Sequence, residues 1–432
     1  FMTDENSQSI ITDSQSNLQI IKDVSSNLIG SLSGGMFSFA MGLMLLHDTK
    51  SPLSFGLETI ISPIVSLLFL VPVGNLVDKY KHKFILVSSI LLRIIFLLIF
   101  AFSINIFFGI YKLIPVAIFV TVNSISTNFS TTAYSASVHE LVNDKKIQKL
   151  SSLSQSASAL SSILAPVLGV ALYALTGFRF FIFIEIITTL VSFAILLTMN
   201  FHYEKRENYS KTKLDNAISG FSNFKIGLTY IKERPLIKNI VFVAVVINFL
   251  FTAITVGMPF MIVTRLHDGN GPVGYIETGF ALGLLLGSLL MSILPSDKYL
   301  FFKFSLPLPL MGVSMALLGF LIDIFHDPLR ISLYGFLIVM LSGFMNGIFN
   351  VAVNVKLQTS VPTHILGRVV SILVTAVTAI MPVGTLFYTF LFQKIINGSN
   401  ILIFSGIFLF VYAFVFGFSI YRDVMTDSYS KT

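Results

Sequence analysis

Apolar residues in this chain run in blocks of about 20 or more, separated by short polar intervals, instead of alternating with polar ones. A helix needs about 20 apolar residues to cross a bilayer. About twelve such blocks occur, near 24–46, 54–77, 84–109, 113–138, 148–175, 178–200, 237–263, 273–295, 302–325, 331–357, 366–391 and 399–421. Several contain Gly and Pro, which membrane helices tolerate better than soluble ones. The pattern predicts an all-α membrane protein of 12 transmembrane helices. The longest polar interval, 201–236, is rich in Lys, Asn, Ser and Glu and divides the blocks six and six. The predicted organisation is a polar tail (1–23), a six-helix bundle (24–200), a linker with an amphipathic helix (201–236), a second six-helix bundle (237–421) and a second tail (422–432).

Composition agrees: 54% of residues are hydrophobic and 11% charged, against about 25% charged in an ordinary soluble domain. The mean hydropathy is +0.85. Charge then sets orientation. With both termini inside, twenty of the 28 Lys and Arg fall in inner segments and six in outer ones, while Arg93 and Lys356 lie within or at the edge of spans. That bias places both termini in the cytoplasm. The net charge of +7 is explained by basic loops beside anionic lipid, without a nucleic-acid partner. The polar first 23 residues lack a basic n-region and do not read as a cleaved signal peptide. With no cysteine, disulfides, thiolate metal sites and cysteine nucleophiles are excluded. The seven His are scattered without metal-ligand spacing, and there is no phosphate loop. The chain reads as neither enzyme nor ATPase, and it implies no cofactor.

The two halves carry a repeat. Asp78-Lys79-Tyr80 returns 219 residues later as Asp297-Lys298-Tyr299, and the same offset pairs Glu58-Thr59 with Glu277-Thr278 and Lys149 with Arg368. An offset of 220 pairs Leu46-His47-Asp48 with Leu266-His267-Asp268. Matches at nearly one offset mark a duplication. Because six helices separate equivalents, both copies point the same way through the membrane.

With these features the chain resembles the major facilitator superfamily over nearly its whole length, whose two parallel six-helix halves hold a substrate site near the midplane. Gly74-x-x-x-Asp78-Lys79-x-x-x-Lys83 resembles the signature of the loop between helices 2 and 3, with Lys81 where the family usually has a Gly. Ala165-Pro166-x-x-Gly169 is similar to a degraded Gly-Pro motif of exporters. "LGRVVS" at 366–371, "MPVG" at 381–384, "QKLSSLSQS" at 148–156 and the acids Glu185 and Glu277 resemble the macrolide-efflux and enterobactin-exporter branch, although Asn123 stands where related sequences have an Arg.

The resemblance gives these residues roles to weigh against plainer ones. It implies that Asp78 caps a neighbouring helix and helps gate the protein, with Asp297 as its weaker echo; the plainer reading is positive-inside anchoring by the loop. Arg93 and Glu185 could lie at matching depths, either as a structural pair or with Glu185 as a proton carrier. Glu58 and Glu277 sit near helix N-termini, where a carboxylate is comfortable, or serve in coupling. Polar stripes run along helix 1 (Ser31, Gly34, Ser38), helix 4 (Asn123, Thr127, Tyr134), helix 7 (Asn248, Thr252, Thr255) and helix 10 (Asn346, Asn350, Asn354). The resemblance places these helices around the central cavity; the alternative is interhelical hydrogen bonding. Gly343 and Gly347 are expected to mark close helix packing. The implied function is export of small amphipathic or hydrophobic compounds across a bacterial plasma membrane by a monomer, through proton antiport and alternating access. The alternatives are a dedicated exporter of a metabolite such as a siderophore or lipid, and a non-transporting sensor or scaffold.

Overall fold

A computed structural model of the protein describes residues 11–49, 57–202, 220–266, 271–295, 298–395, 398–417, 419 and 422–425. Among them there is no strand, and thirteen long helices account for nearly everything. They are α1 (Asp13–Thr49), α2 (Leu57–Lys79), α3 (His82–Ser103), α4 (Leu113–Ala136), α5 (Ile147–Thr176), α6 (Phe178–Thr198), α7 (Gly220–Glu233), α8 (Pro235–Leu266), α9 (Gly271–Ile293), α10 (Pro307–Ile324), α11 (Pro328–Ser360), α12 (Thr363–Lys394) and α13 (Gly398–Tyr412). Short π-helical turns precede α10 (Phe301–Ser305) and follow α13 (Ala413–Gly417). Eleven of these segments are long and apolar enough to cross a membrane. α5, at 30 residues, is long enough to be the twelfth, and α7 is the short helix of the linker.

Helix ends follow local chemistry. α1 begins eleven residues before its apolar block because Thr12 and Gln15 cap each other: the Thr12 amide donates to Gln15 Oε1 at 3.0 Å and the Gln15 amide to Thr12 Oγ1 at 3.3 Å. This reciprocal cap satisfies amides at the start of a helix that would otherwise lack partners. Pro235 and Pro328 open α8 and α11, where a missing amide costs nothing. Gly177, at φ 71°, separates α5 from α6 in a conformation that suits glycine.

The helices form two compact units. The first comprises residues 1–150, 165–230 and 361–372, and the second 151–164, 231–360 and 373–432. The start of α12 therefore belongs with the first unit and its remainder with the second. The first unit's core contains Phe37, Phe100, Phe119 and Phe181 with Met36, Met41 and Met44. The second unit's core is built on Met258, Met261, Met315, Leu318, Tyr388 and Phe392.

Packing in the second unit depends on backbone approach. α9 and α11 meet along Gly279, Gly283 and Gly287 on one side and Gly343 and Gly347 on the other. A Cβ at Gly283 would lie 2.0 Å from the Met340 carbonyl oxygen, and one at Gly343 would lie 2.1 Å from that of Phe280. Lipid offers no hydrophobic drive between helices, so small residues that let backbones touch are what hold them.

Candidate functional site

The lysine-rich end of the first unit carries the first candidate. Asp78, in the last turn of α2, is only 5% exposed. Its Oδ1 accepts from the Gly367 amide at 3.0 Å, and its Oδ2 lies 2.9 Å from Arg368 Nε. A carboxylate near the start of α12 also meets the positive end of that helix. Two glycines make the approach possible. A Cβ at Gly367 would sit 2.5 Å from Asp78 Oδ1, and one at Gly74 would sit 3.2 Å from Arg368 Cα. Ser371 completes the contact by donating to the Leu70 carbonyl at 2.9 Å. The motif residue Gly74 thus clears space for α12, and "LGRVVS" supplies Asp78's partners. Those partners escaped the sequence reading, although the motif itself was the available signal.

The rest of the motif is divided in its work. Lys83 donates to the carbonyls of Leu197 and Met199 at 3.0 and 2.7 Å, closing the end of α6. Exposed Lys79 lies over the Tyr80 ring, 5.7 Å from its centroid. Asp297 lies outside the described residues.

The second candidate is buried in the same unit. Glu185 on α6 is 1% exposed. Arg93 on α3 donates to its Oε1, and Ser33 on α1 donates to its Oε2. Ser33 Oγ also lies 2.7 Å from Thr188 Oγ1. Gly34 leaves room beside the guanidinium: a Cβ there would be 3.5 Å from Arg93 Nη2. The structure therefore joins Arg93 and Glu185. It adds Ser33 and Thr188, which the stripe through Ser31 and Ser38 missed because helix packing decides which neighbouring serine turns inward.

The exporter-like motif is a packing device between α5 and α1. Ala165 Cβ lies 2.8 Å from where a Gly35 Cβ would be, and Gly169 faces Phe39 with 3.4 Å to a built Cβ. Pro166 lies inside the helix and is exposed.

The remaining candidates scatter. Glu277 on α9 is exposed. Glu58 falls in α2, and its side chain lies outside the described residues. On α4, Asn123 has a buried Oδ1 with no hydrogen-bond partner, Tyr134 is half-buried and Thr127 exposed. Neighbouring Ser124 and Asn128 pair with Ser62 and Ser66 of α2 at 2.9 and 3.1 Å. On α8, Asn248 bonds back to the Ala244 carbonyl at 2.8 Å. Thr252 bonds to the Phe249 carbonyl at 2.5 Å and is 3% exposed. A Cβ at Gly384 would come within 2.3 Å of Thr252 Oγ1, so Thr252 and the glycine of "MPVG" are joined in packing. On α11, Asn350 donates to Asn346 Oδ1, and Asn354 is half-buried.

Among the described residues no cluster of three or more His, Asp or Glu is arranged to hold a metal ion. The arrangement offers one ion pair that can fasten or release a helix start, and one enclosed acid with a cation and a hydroxyl as partners.

Comparison with known proteins extends this picture. The family model of the Major Facilitator Superfamily matches residues 24–385. Macrolide efflux protein A of Streptococcus pyogenes is 23% identical over 403 residues, covering 89% of this chain and 91% of that protein. The Enterococcus faecalis protein of the same name is 24% identical over 331 residues, covering 72% and 93%. Among solved structures, a bacterial homologue of the iron transporter ferroportin in its outward-facing state superposes with a TM-score of 0.75 at 13% identity, covering 94% of this chain and 99% of that one. The Escherichia coli fucose:proton symporter does so with a TM-score of 0.69 at 14% identity, covering 93% and 98%. At those identities the structural matches speak for the fold alone.

Proposed function

This chain belongs to the Major Facilitator Superfamily, and on that footing we propose that it exports small amphipathic or hydrophobic compounds, macrolide-like in character, by proton antiport and alternating access. It is a multi-pass membrane protein, which we place in the bacterial plasma membrane with both termini in the cytoplasm. The observation that carries the export reading is the correspondence with Macrolide efflux protein A over 403 residues, nearly the full length of both chains. The polar faces of α4 and α11 are amides and hydroxyls with few charges, which suits such substrates.

Coupling rests on Glu185. An ionisable group enclosed in a membrane bundle is costly and marks a pathway or a partner. Here the acid has a partner in Arg93 and a hydroxyl from Ser33. Protonation of the carboxylate would release Arg93, and deprotonation would recapture it. In this reading Glu185 carries the proton and Arg93 is the group that its charge state moves, while Glu277 is a second acid on the route.

The test is transport by reconstituted protein, with macrolides, a siderophore and a lipid as candidate cargo, with and without an imposed pH gradient. Macrolide movement that requires the gradient is expected. Glu185→Gln should remove most of the gradient's effect. Because neutralising Glu185 alone leaves the half-buried Arg93 without its partner and costs stability, a paired Arg93→Met, Glu185→Leu variant separates coupling from folding. It removes both charges at little cost in stability and should carry cargo without responding to pH. Unchanged gradient-driven transport in the paired variant and in Glu277→Gln would sink the coupling reading. Siderophore or lipid transport in place of macrolide would redirect the substrate class, and no transport of any cargo would point to a sensor or scaffold.

A further inference from the structure

The enclosed acid Glu185 ends a short chain of hydroxyl groups. Ser33 on α1, 4% exposed, donates to Glu185 Oε2, and its Oγ lies 2.7 Å from Thr188 Oγ1. Thr188 Oγ1 in turn lies 2.9 Å from the Ile184 carbonyl oxygen, four residues back along α6. Each hydroxyl has one hydrogen to give and can accept as well. The hydrogens can therefore be placed by counting.

With Glu185 ionised, its oxygens only accept. Arg93 then donates to Oε1 and Ser33 to Oε2. The hydrogen of Ser33 is committed, so the one in the 2.7 Å contact belongs to Thr188. With Glu185 neutral and its hydrogen on Oε2, the chain runs the other way. Oε2 donates to Ser33, Ser33 turns its hydrogen to Thr188, and Thr188 turns its own to the Ile184 carbonyl, a bond that helical threonines make. No hydroxyl hydrogen is left unmatched in either state. A buried donor without an acceptor would weigh against one of them.

Other charged and titratable groups on the helices around Glu185 lie elsewhere along them. Between Asp23 and His47, α1 has none; beyond Lys83, α3 has Arg93 alone; between Lys149 and Tyr173, α5 has none. On α6 itself, Arg179 reaches Asn105 at 3.4 Å. Lys22 and Lys83 hold carbonyls at the far end of α6.

We propose that Ser33 and Thr188 are positioning residues that let Glu185 take up and release a proton by reversing their hydrogen bonds. The inference rests on the coupling reading of Glu185 given above, and it adds the groups that satisfy both charge states. On uptake one O–H bond forms at Oε2, with a proton drawn from the water on the side of the membrane that supplies the gradient. The two hydroxyls rotate about their C–O bonds, and no other bond forms or breaks between heavy atoms and hydrogen. Arg93 loses its charge partner in the same step, so the reversal and the release of Arg93 are one event.

Infrared difference spectra of nanodisc-held protein, recorded from about pH 4 to 9, read the protonated carboxyl directly. A band that vanishes in Glu185→Gln belongs to Glu185, and its growth toward acid pH gives the protonation equilibrium. Thr188→Val removes the acceptor that Ser33 needs when the acid is neutral. It should shift that equilibrium about tenfold toward the ionised form. Thr188→Ala should do the same, while Thr188→Ser, which keeps the hydroxyl, should stay within about twofold of the native protein. A native equilibrium in folded Thr188→Val and Thr188→Ala, or a shift in Thr188→Ser as large as theirs, overturns the relay and leaves the coupling reading intact. The absence of a Glu185 band at every pH overturns the coupling reading and the relay with it. The spectra need no cargo, so a protein that shows the shift without gradient-driven transport loses the coupling reading alone.

Discussion

Asp78-Lys79-Tyr80 and Asp297-Lys298-Tyr299 are the same three residues at equivalent places in two six-helix halves, yet their surroundings differ. In the first copy the acid is buried against Gly367 and Arg368, with Gly74 four residues ahead to admit a helix. In the second copy Ile293 stands where Gly74 would be. The tyrosine adopts a left-handed conformation at φ 59°, and a π-helical turn follows. There the enclosed charge is a lysine: Lys303 is 1% exposed and donates to the Pro295 carbonyl. The same three letters thus sit in different surroundings: the first copy's acid fastens a helix start, and beyond the second copy Lys303 reaches back to the Pro295 carbonyl.

The largest test of this contrast is the acid. Asp78→Asn keeps an acceptor for the Gly367 amide but loses the charge facing Arg368. A hydrogen bond to a charged group is worth about 1.5–3 kcal/mol, so the latch equilibrium should shift by about tenfold or more, and initial transport rates should fall on that scale. With Ile293 in place of the glycine that admits a helix beside Asp78, Asp297→Asn should change transport by less than about twofold. Equal losses in the two variants would dissolve the distinction between the copies.

A middle-sized effect separates latch from local fold. Lys303→Met keeps the volume but leaves the Pro295 carbonyl without this donor. A hydrogen bond from a charged group is worth about 1.5–3 kcal/mol, so the thermal midpoint should drop by several degrees while the transport rate of folded protein stays near native. A transport defect without a stability defect would mean that the second loop also switches.

The same contrast shows what the sequence could and could not tell. Blocks of apolar residues gave the helices, since crossing a bilayer leaves little choice of length. The Thr12-x-x-Gln15 cap was equally readable, being local. Asp78 was readable from its motif, but Arg368 stands 290 positions further on, and no periodicity links the two. Arg93 and Glu185 could be matched by depth, whereas Ser33 could not be preferred over Ser31, because that depends on the angle at which α1 meets α6. Thr252 shows the opposite limit. On a membrane helix a polar stripe can face a solute path or another helix, and only the close approach of Gly384 shows that this threonine is committed to packing.

The smallest effect is the most discriminating, because its sign differs between the copies. Tyr299 has a positive φ, and Tyr80 is not among the described residues that do. A side chain held in the left-handed region costs roughly 1–2 kcal/mol. Glycine avoids that cost but loses more chain entropy on folding, by roughly 0.5–1 kcal/mol. Tyr299→Gly should therefore leave the thermal midpoint unchanged or raise it slightly, while Tyr80→Gly should lower it by the entropy loss alone. Tyr299→Val, β-branched and ill-suited to that conformation, should lower the midpoint more than Tyr80→Val does. If both glycine variants destabilise equally, the two turns share one backbone, and the divergence of the copies lies in their side chains only.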